Sequence, residues 1–172
     1  MGLLLLAAFF FIRFWVLAQL DQEAVKRAAY FAPLQGVEKG AYWVYQLSNT
    51  VLLVCIGVFP LRWLPLWIFC TGLFVSLAGL AMLLWAVFSF AAPAENGIRQ
   101  TGIYRLSRNP MYLAYFIFFL GCAILAQSLI LLILLLVFQI ASHFIILSEE
   151  RWCTEKFGEA YRQYMKKVRR YL

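Results

Sequence analysis

The stretch MYLAYFIFFLGCAILAQSLILLILLLVFQIASHFIIL, Met111 to Leu147, decides the fold. It is apolar almost throughout, and charge returns only at Ser148-Glu149-Glu150. As one helix its 37 residues would reach about 55 Å at 1.5 Å per residue. The hydrocarbon layer of a bilayer is roughly 30 Å thick, so the chain has to fold back. The only polar break is Gln127-Ser128, with Gly121 before it, and a tight hairpin there predicts arms of about 16 and 19 residues. Arms this short suit a thinned or protein-lined part of the membrane.

Working outward, the whole chain has the same character. It has 172 residues, 65% of them hydrophobic and 13% charged, with a mean hydropathy of +0.81. A soluble domain of this size cannot bury that much apolar surface, so the expected class is all-α, an integral membrane helical bundle forming a single domain over 1–172. Met1–Leu20 reads as a first span, Tyr42–Pro60 as a second and Leu66–Phe90 as a third. The hairpin adds spans four and five, giving about five transmembrane helices. Ser148–Leu172 follows as a basic, amphipathic C-terminal helix. The four cysteines, Cys55, Cys70, Cys122 and Cys153, have neither metal-ligand nor disulfide spacing, and no metal is expected.

Charge orients this layout. Of the 15 lysines and arginines, thirteen fall in the connectors 21–41 and 91–109 or in the tail. Arg62 alone marks the other side, and Arg13 lies inside the first span. The positive-inside rule then predicts an external N-terminus and a cytoplasmic C-terminus. Topology and anionic headgroups account for the net charge of +7, so no nucleic-acid partner is needed to explain it.

Polar residues inside spans are costly and therefore informative. At 100° per residue, Gln139, Ser142, His143, Glu149 and Glu150 fall within an arc of roughly 120°. Gln46, Asn49 and Thr50 share a face of the second span, where hydrogen bonding between helices is the ordinary role. Gly72, Ser76 and Gly79 have the spacing of a close helix contact. Taken singly, His143 reads as a satisfied core histidine, the glutamates as interfacial charges, and Tyr104 and Tyr112 as interface anchors. Together they form two polar clusters at the same ends of the hairpin arms.

The connector GIYRLSRNPMY, Gly102 to Tyr112, packs two arginines, two tyrosines, an asparagine and a proline beside the bilayer. Pro110 suits the first position of the fourth span. Paired carboxylates bind an amine or a cation. Backbone amides and an arginine near Pro110 bind a carboxylate or phosphate. Tyrosines flank an adenine or a sulfonium. S-adenosylmethionine uses all of these, and the residue types alone also allow a phosphorylated nucleotide.

The pattern Gly-Ile-Tyr-x4-Asn-Pro-Met-Tyr (102–112), an apolar hairpin, and then Glu-Glu-x6-Phe-Gly-x2-Tyr-x2-Tyr (149–164) resembles the isoprenylcysteine carboxyl methyltransferase family. That family sits in a wider group with phospholipid N-methyltransferases, and the resemblance spans about residues 91–170. It implies a cofactor site for S-adenosylmethionine, with S-adenosylhomocysteine as product, at Gly102, Tyr104, Arg108, Asn109, Pro110, Met111, Tyr112 and Glu149 or Glu150. It further implies that Asn96, Gly97, Ile98 and Arg99 lie along the cofactor. The tail helix bearing Gly158, Tyr161 and Tyr164 would close over it. Three departures accompany the match. The family's histidine is Asn109, which hydrogen-bonds but cannot serve as a cation or base. An arginine one turn before the glutamates is missing, which leaves His143, with Gln139, as the polar candidates toward substrate. The proline usual after the tail helix is absent from Val168-Arg169-Arg170-Tyr171-Leu172.

The expected function is therefore methyl transfer from S-adenosylmethionine to a lipophilic acceptor drawn from the bilayer, most like isoprenylcysteine carboxyl O-methylation. Phospholipid or amine N-methylation is the near alternative. An NADPH-dependent reductase of the sterol type and a non-catalytic membrane subunit are the alternatives of other classes. Oligomeric state and acceptor identity are not legible in the sequence.

Overall fold

The computed structural model describes residues 2–92, 94 and 97–172; these are helical apart from turns and connectors, with no strand among them. Four helices are long and apolar enough to cross a membrane: α1 (Gly2–Leu20), α3 (Val37–Val58), α4 (Leu66–Ala91) and α6 (Leu129–Phe157). Between the last two lies α5 (Pro110–Ala126), apolar but only 17 residues long. Where five crossings are expected, the structure has four helices of full length and one shorter apolar arm.

The hairpin falls at the expected residues. Gln127 adopts the left-handed conformation (φ 49°), and the Ser128 amide donates to the Ala123 carbonyl (3.2 Å) across the turn. This pairing satisfies carbonyls left open by the end of α5. Ser128 then caps α6 by accepting from the Leu131 amide. The arms do not pack chiefly on each other: α5 lies along α4, and α6 along α3.

The α4–α5 contact follows from small residues. A Cβ at Gly79 would stand 2.5 Å from the Phe118 backbone nitrogen, and one at Gly72 would stand 2.9 Å from that of Leu125. Gly121 meets the Ser76 backbone in the same way. Gly72, Ser76 and Gly79 thus do what their spacing predicts. Gln46 and Thr50 do not. Their side chains bond within α3, to Tyr42 and to the Gln46 carbonyl, and the buried face of α3 is Tyr45, Ser48, Leu52 and Ile56.

Two elements differ from expectation. The connector 21–36 contains a short helix, α2 (Gln22–Ala29), with Asp21 as its N-cap and Lys26 and Arg27 in its last turn. In addition, α6 does not stop where charge begins. Its 29 residues run unbroken through Glu149-Glu150 to Phe157. Charge ends a hydrocarbon crossing, but serine, glutamate and arginine do not break a helix. The break comes at Gly158 (φ 57°), after which α7 (Glu159–Lys167) turns back under the bundle.

The bundle has two chemically distinct ends. At one, Gly2 lies against Ile56, the Arg62 amide donates to the Leu125 carbonyl, and Gln127 donates to the Leu64 carbonyl. At the other, Arg13 reaches Ala28, Arg151 grips Glu38 and the Pro33 carbonyl, and the tail meets the connector before α5.

Candidate functional site

The connector between α4 and α5 is shaped by Gly102. Its φ of +59° is open to glycine, and a Cβ there would collide with Ser89 Oγ. That hydroxyl accepts from the Ile103 amide (3.3 Å). A short 3-10 turn, Gly102–Arg105, follows and buries Ile103 and Tyr104. Ser107 Oγ accepts from the Asn109 amide (3.1 Å), and Pro110 opens α5 at the first position, where its missing N–H costs nothing.

Glu149 and Glu150 face this connector from α6, each with its own partners. Glu150 is almost fully enclosed, with 7% of its side chain exposed. Its Oε1 accepts from Arg108 Nε (3.1 Å), Arg108 Nη2 (2.9 Å) and Asn109 Nδ2 (3.4 Å). Its Oε2 accepts from Arg170 Nε (3.1 Å) and Nη2 (2.9 Å). The carboxylate is saturated by the protein's own donors. Among the described residues Glu149 accepts one bond, from the Tyr112 hydroxyl at 2.8 Å, and retains lone pairs for another donor.

The tail completes the enclosure. Arg108 donates its amide to the Arg169 carbonyl (3.0 Å) and its Nη1 to the Met165 carbonyl (3.2 Å). The Arg170 carbonyl accepts from Ser107 Oγ and Asn109 Nδ2, both at 3.2 Å. The Tyr164 hydroxyl donates to the Tyr104 carbonyl (2.6 Å), and the Tyr171 hydroxyl pairs with His143 Nδ1 (2.7 Å). Glu150 at its side holds Arg170 firmly charged, and burial pushes the Tyr104, Tyr161 and Tyr164 phenols above their usual range.

Most of the residues expected at the site gather here. Arg108, Asn109, Pro110, Tyr112, Glu149 and Glu150 form its centre. Gly97, Ile98, Tyr104 and Tyr161 form an adjoining layer: Gly97 (φ 76°) lies against the Phe157 ring, and Ile98 packs with Tyr161 and Tyr164. Arg99 rests over the Phe90 ring (5.2 Å), with a buried Nη1 that has no acceptor among the described residues. Burial draws its pKa below the ordinary arginine value. Met111 packs into the core beside the 3-10 turn. Asn96 lies outside the described residues. His143 joins the site through Tyr171, while Gln139, one turn deeper, carries a buried Oε1 without a donor among the described residues.

Sequence reasoning missed Ser107, Ser89 and above all Arg170, which it had counted only as a topological charge. The available signal for Arg170 was its place after the tail helix, where the resemblance puts a chain turning back onto the site.

The donor set fits S-adenosylmethionine. Glu149 has capacity for an ammonium. The Met111 and Tyr112 amides, in the first turn of α5, have no intrahelical acceptor to compete with a carboxylate. Residues 63–160, from the start of α4 to the start of α7, match the phospholipid methyltransferase family. No curated protein matches the chain. With the 102–112 motif, the hairpin and the paired glutamates inside that matched region, the chain belongs to the phospholipid methyltransferase family.

Proposed function

We propose that the protein is an S-adenosylmethionine-dependent methyltransferase of a multi-pass membrane bundle, acting on a lipophilic acceptor. The observation that carries this reading is the 2.8 Å bond between Tyr112 and Glu149. It joins the two motifs of the resemblance, which are separated by the whole hairpin. When bound, S-adenosylmethionine would supply a methyl carbon activated by a positive sulfur for transfer to the acceptor's lone pair, with S-adenosylhomocysteine as the other product. Glu149, oriented by Tyr112, holds the cofactor's ammonium. Glu150 anchors Arg108 and Arg170, so that the tail covers the site and excludes water. Aligning the two reactants is the protein's main contribution to rate.

An isoprenylcysteine-type carboxylate is the acceptor that the motif order supports. It is already ionised near pH 7 and needs no base. A phospholipid amine is the second reading, favoured by the family to which residues 63–160 belong. Methyl-labelled cofactor supplied with a total lipid extract and a farnesylcysteine analogue decides between them by the identity of the labelled product. Binding of S-adenosylhomocysteine in place of NADPH separates both from a reductase. A protein that binds neither is a non-catalytic subunit.

A further inference from the structure

Arg13 lies inside α1, a helix with a mean hydropathy of 2.2 over its 18-residue window. Among the described residues no carboxylate stands within ion-pair distance of it. Among the described residues its one side-chain hydrogen bond goes to the Ala28 carbonyl at 2.9 Å, and its guanidinium lies 5.7 Å from the Phe14 ring centroid, which leaves most of its five N–H donors uncommitted. Around it α1 widens into a π-helix over Phe11–Val16, a distortion frequent at functional positions. An arginine that merely snorkels carries its head into water. This one turns instead to the Ala28 carbonyl, and its helix meets Tyr115 through Phe9 (ring centroids 5.3 Å).

Tyr115 leads on toward the site. Its ring centroid is 6.3 Å from that of Tyr112, which in turn donates to Glu149. Tyr45 closes the other flank, 6.4 Å from Tyr112, and Phe9 lies 5.3 Å from Tyr115 as an apolar floor. A line of polar groups therefore runs from the Arg13 cation, at the connector end of the bundle, past two phenols to the carboxylate assigned to the cofactor. An arginine within an apolar crossing helix that has no carboxylate partner among the described residues suits an anion that arrives with a ligand.

We propose that Arg13 binds an oxyanion of the lipophilic acceptor and thereby presents the acceptor's reactive atom toward Tyr112 and Glu149. The proposal rests on the methyl-transfer reading above. A phosphodiester and a carboxylate share the chemistry that a guanidinium recognises. Arg13 is a positioning residue on the acceptor side, contributed by a crossing helix that lies wholly outside the matched region.

Native mass spectrometry of the detergent-solubilised protein reads retained lipid directly. The probes are phosphatidylethanolamine, a farnesylcysteine analogue and, as the neutral control, diacylglycerol. The wild type should retain one of the two oxyanion probes, and which one identifies the source. Arg13→Gln should lose about tenfold in that affinity and Arg13→Lys should recover most of it, with diacylglycerol retention unchanged. S-adenosylhomocysteine affinity should match wild type in both variants, which shows that the bundle is intact. Equal retention of both oxyanion probes by Arg13→Gln and wild type overturns the proposal. So does a parallel loss of all three lipids and of S-adenosylhomocysteine, which makes Arg13 a strut between α1 and α2. A wild type that binds no S-adenosylhomocysteine, yet loses its oxyanion probe on Arg13→Gln, refutes the methyltransferase reading and leaves the anion site standing.

Discussion

Glu150 accepts from two guanidiniums and an amide, whereas Glu149 accepts from one phenol. The consequence is two different phenotypes from adjacent residues. Glu150→Ala leaves the Arg108 and Arg170 guanidiniums without their carboxylate, and breaking a buried pair in this way costs about 3–5 kcal/mol. A thermal melt in detergent should show that loss. Glu149→Gln should barely move the melt but weaken S-adenosylhomocysteine binding roughly 10- to 150-fold, the equivalent of one charge-assisted hydrogen bond of about 1.5–3 kcal/mol. Isothermal titration measures it, and wild-type affinity in Glu149→Gln removes the carboxylate from the cofactor site. At 100° per residue Glu150 lies nearer than Glu149 to the direction of His143, and by sequence alone that favours Glu150 as the cofactor's partner. What that reading lacked was Arg170, whose approach depends on a chain reversal at Gly158 that helical periodicity does not encode. Asn109 is similar. Its amide bridges Glu150 and the Arg170 carbonyl, a role that needs a hydrogen-bond donor and no titratable proton. Asn109→His should therefore keep cofactor affinity within about tenfold, and Asn109→Leu should lose more, since two buried acceptors each lose a donor.

At the scale of elements, close approach of α4 and α5 fixes where the first turn of α5 points. Gly79→Leu inserts a side chain where even a Cβ would stand 2.5 Å from the Phe118 nitrogen. Overpacking of this kind costs about 1–3 kcal/mol when neighbours can shift, and backbone shifts less readily than side chains do. The measured melt should fall by at least that amount, while Gly40→Leu, at an open position, should leave it unchanged. Much at this scale was readable in advance. The hairpin followed from a run too long for the bilayer, and the α4 contact from Gly72, Ser76 and Gly79. The extension of α6 to Phe157 was not, because hydropathy reports where lipid ends rather than where a helix ends. Helix α2 had a local signature in Asp21 and the Lys26-Arg27 terminus, but eight residues inside a charged connector give periodicity little to register. Arg13 was seen only as an oddity in a span. The packing of its helix against Tyr115 is tertiary, across more than a hundred residues.

At the scale of the whole molecule, the two ends of the bundle differ in charge, and that difference bears on how the site is supplied. Arg108, Arg151, Arg170 and the basic last turn of α7 all lie at the end that carries Glu149 and Glu150. The opposite end consists of the 59–65 connector and the Gln127 turn, with Arg62 as its one basic residue. Each lysine or arginine near an anionic leaflet is worth about 1 kcal/mol, so the asymmetry favours one orientation strongly. A reporter fused after Leu172 should be active in the cytoplasm, and one fused before Met1 should be active outside. The two are expected to disagree, because α1, α3 and α4, together with the α5–α6 hairpin, would make an odd number of passages between the ends. Agreement between them would mean that α5, at 17 residues, enters and leaves by the same face. A C-terminus on the outer side would separate Glu149 from the cytosolic cofactor that the proposed reaction consumes, and the site would then need another ligand.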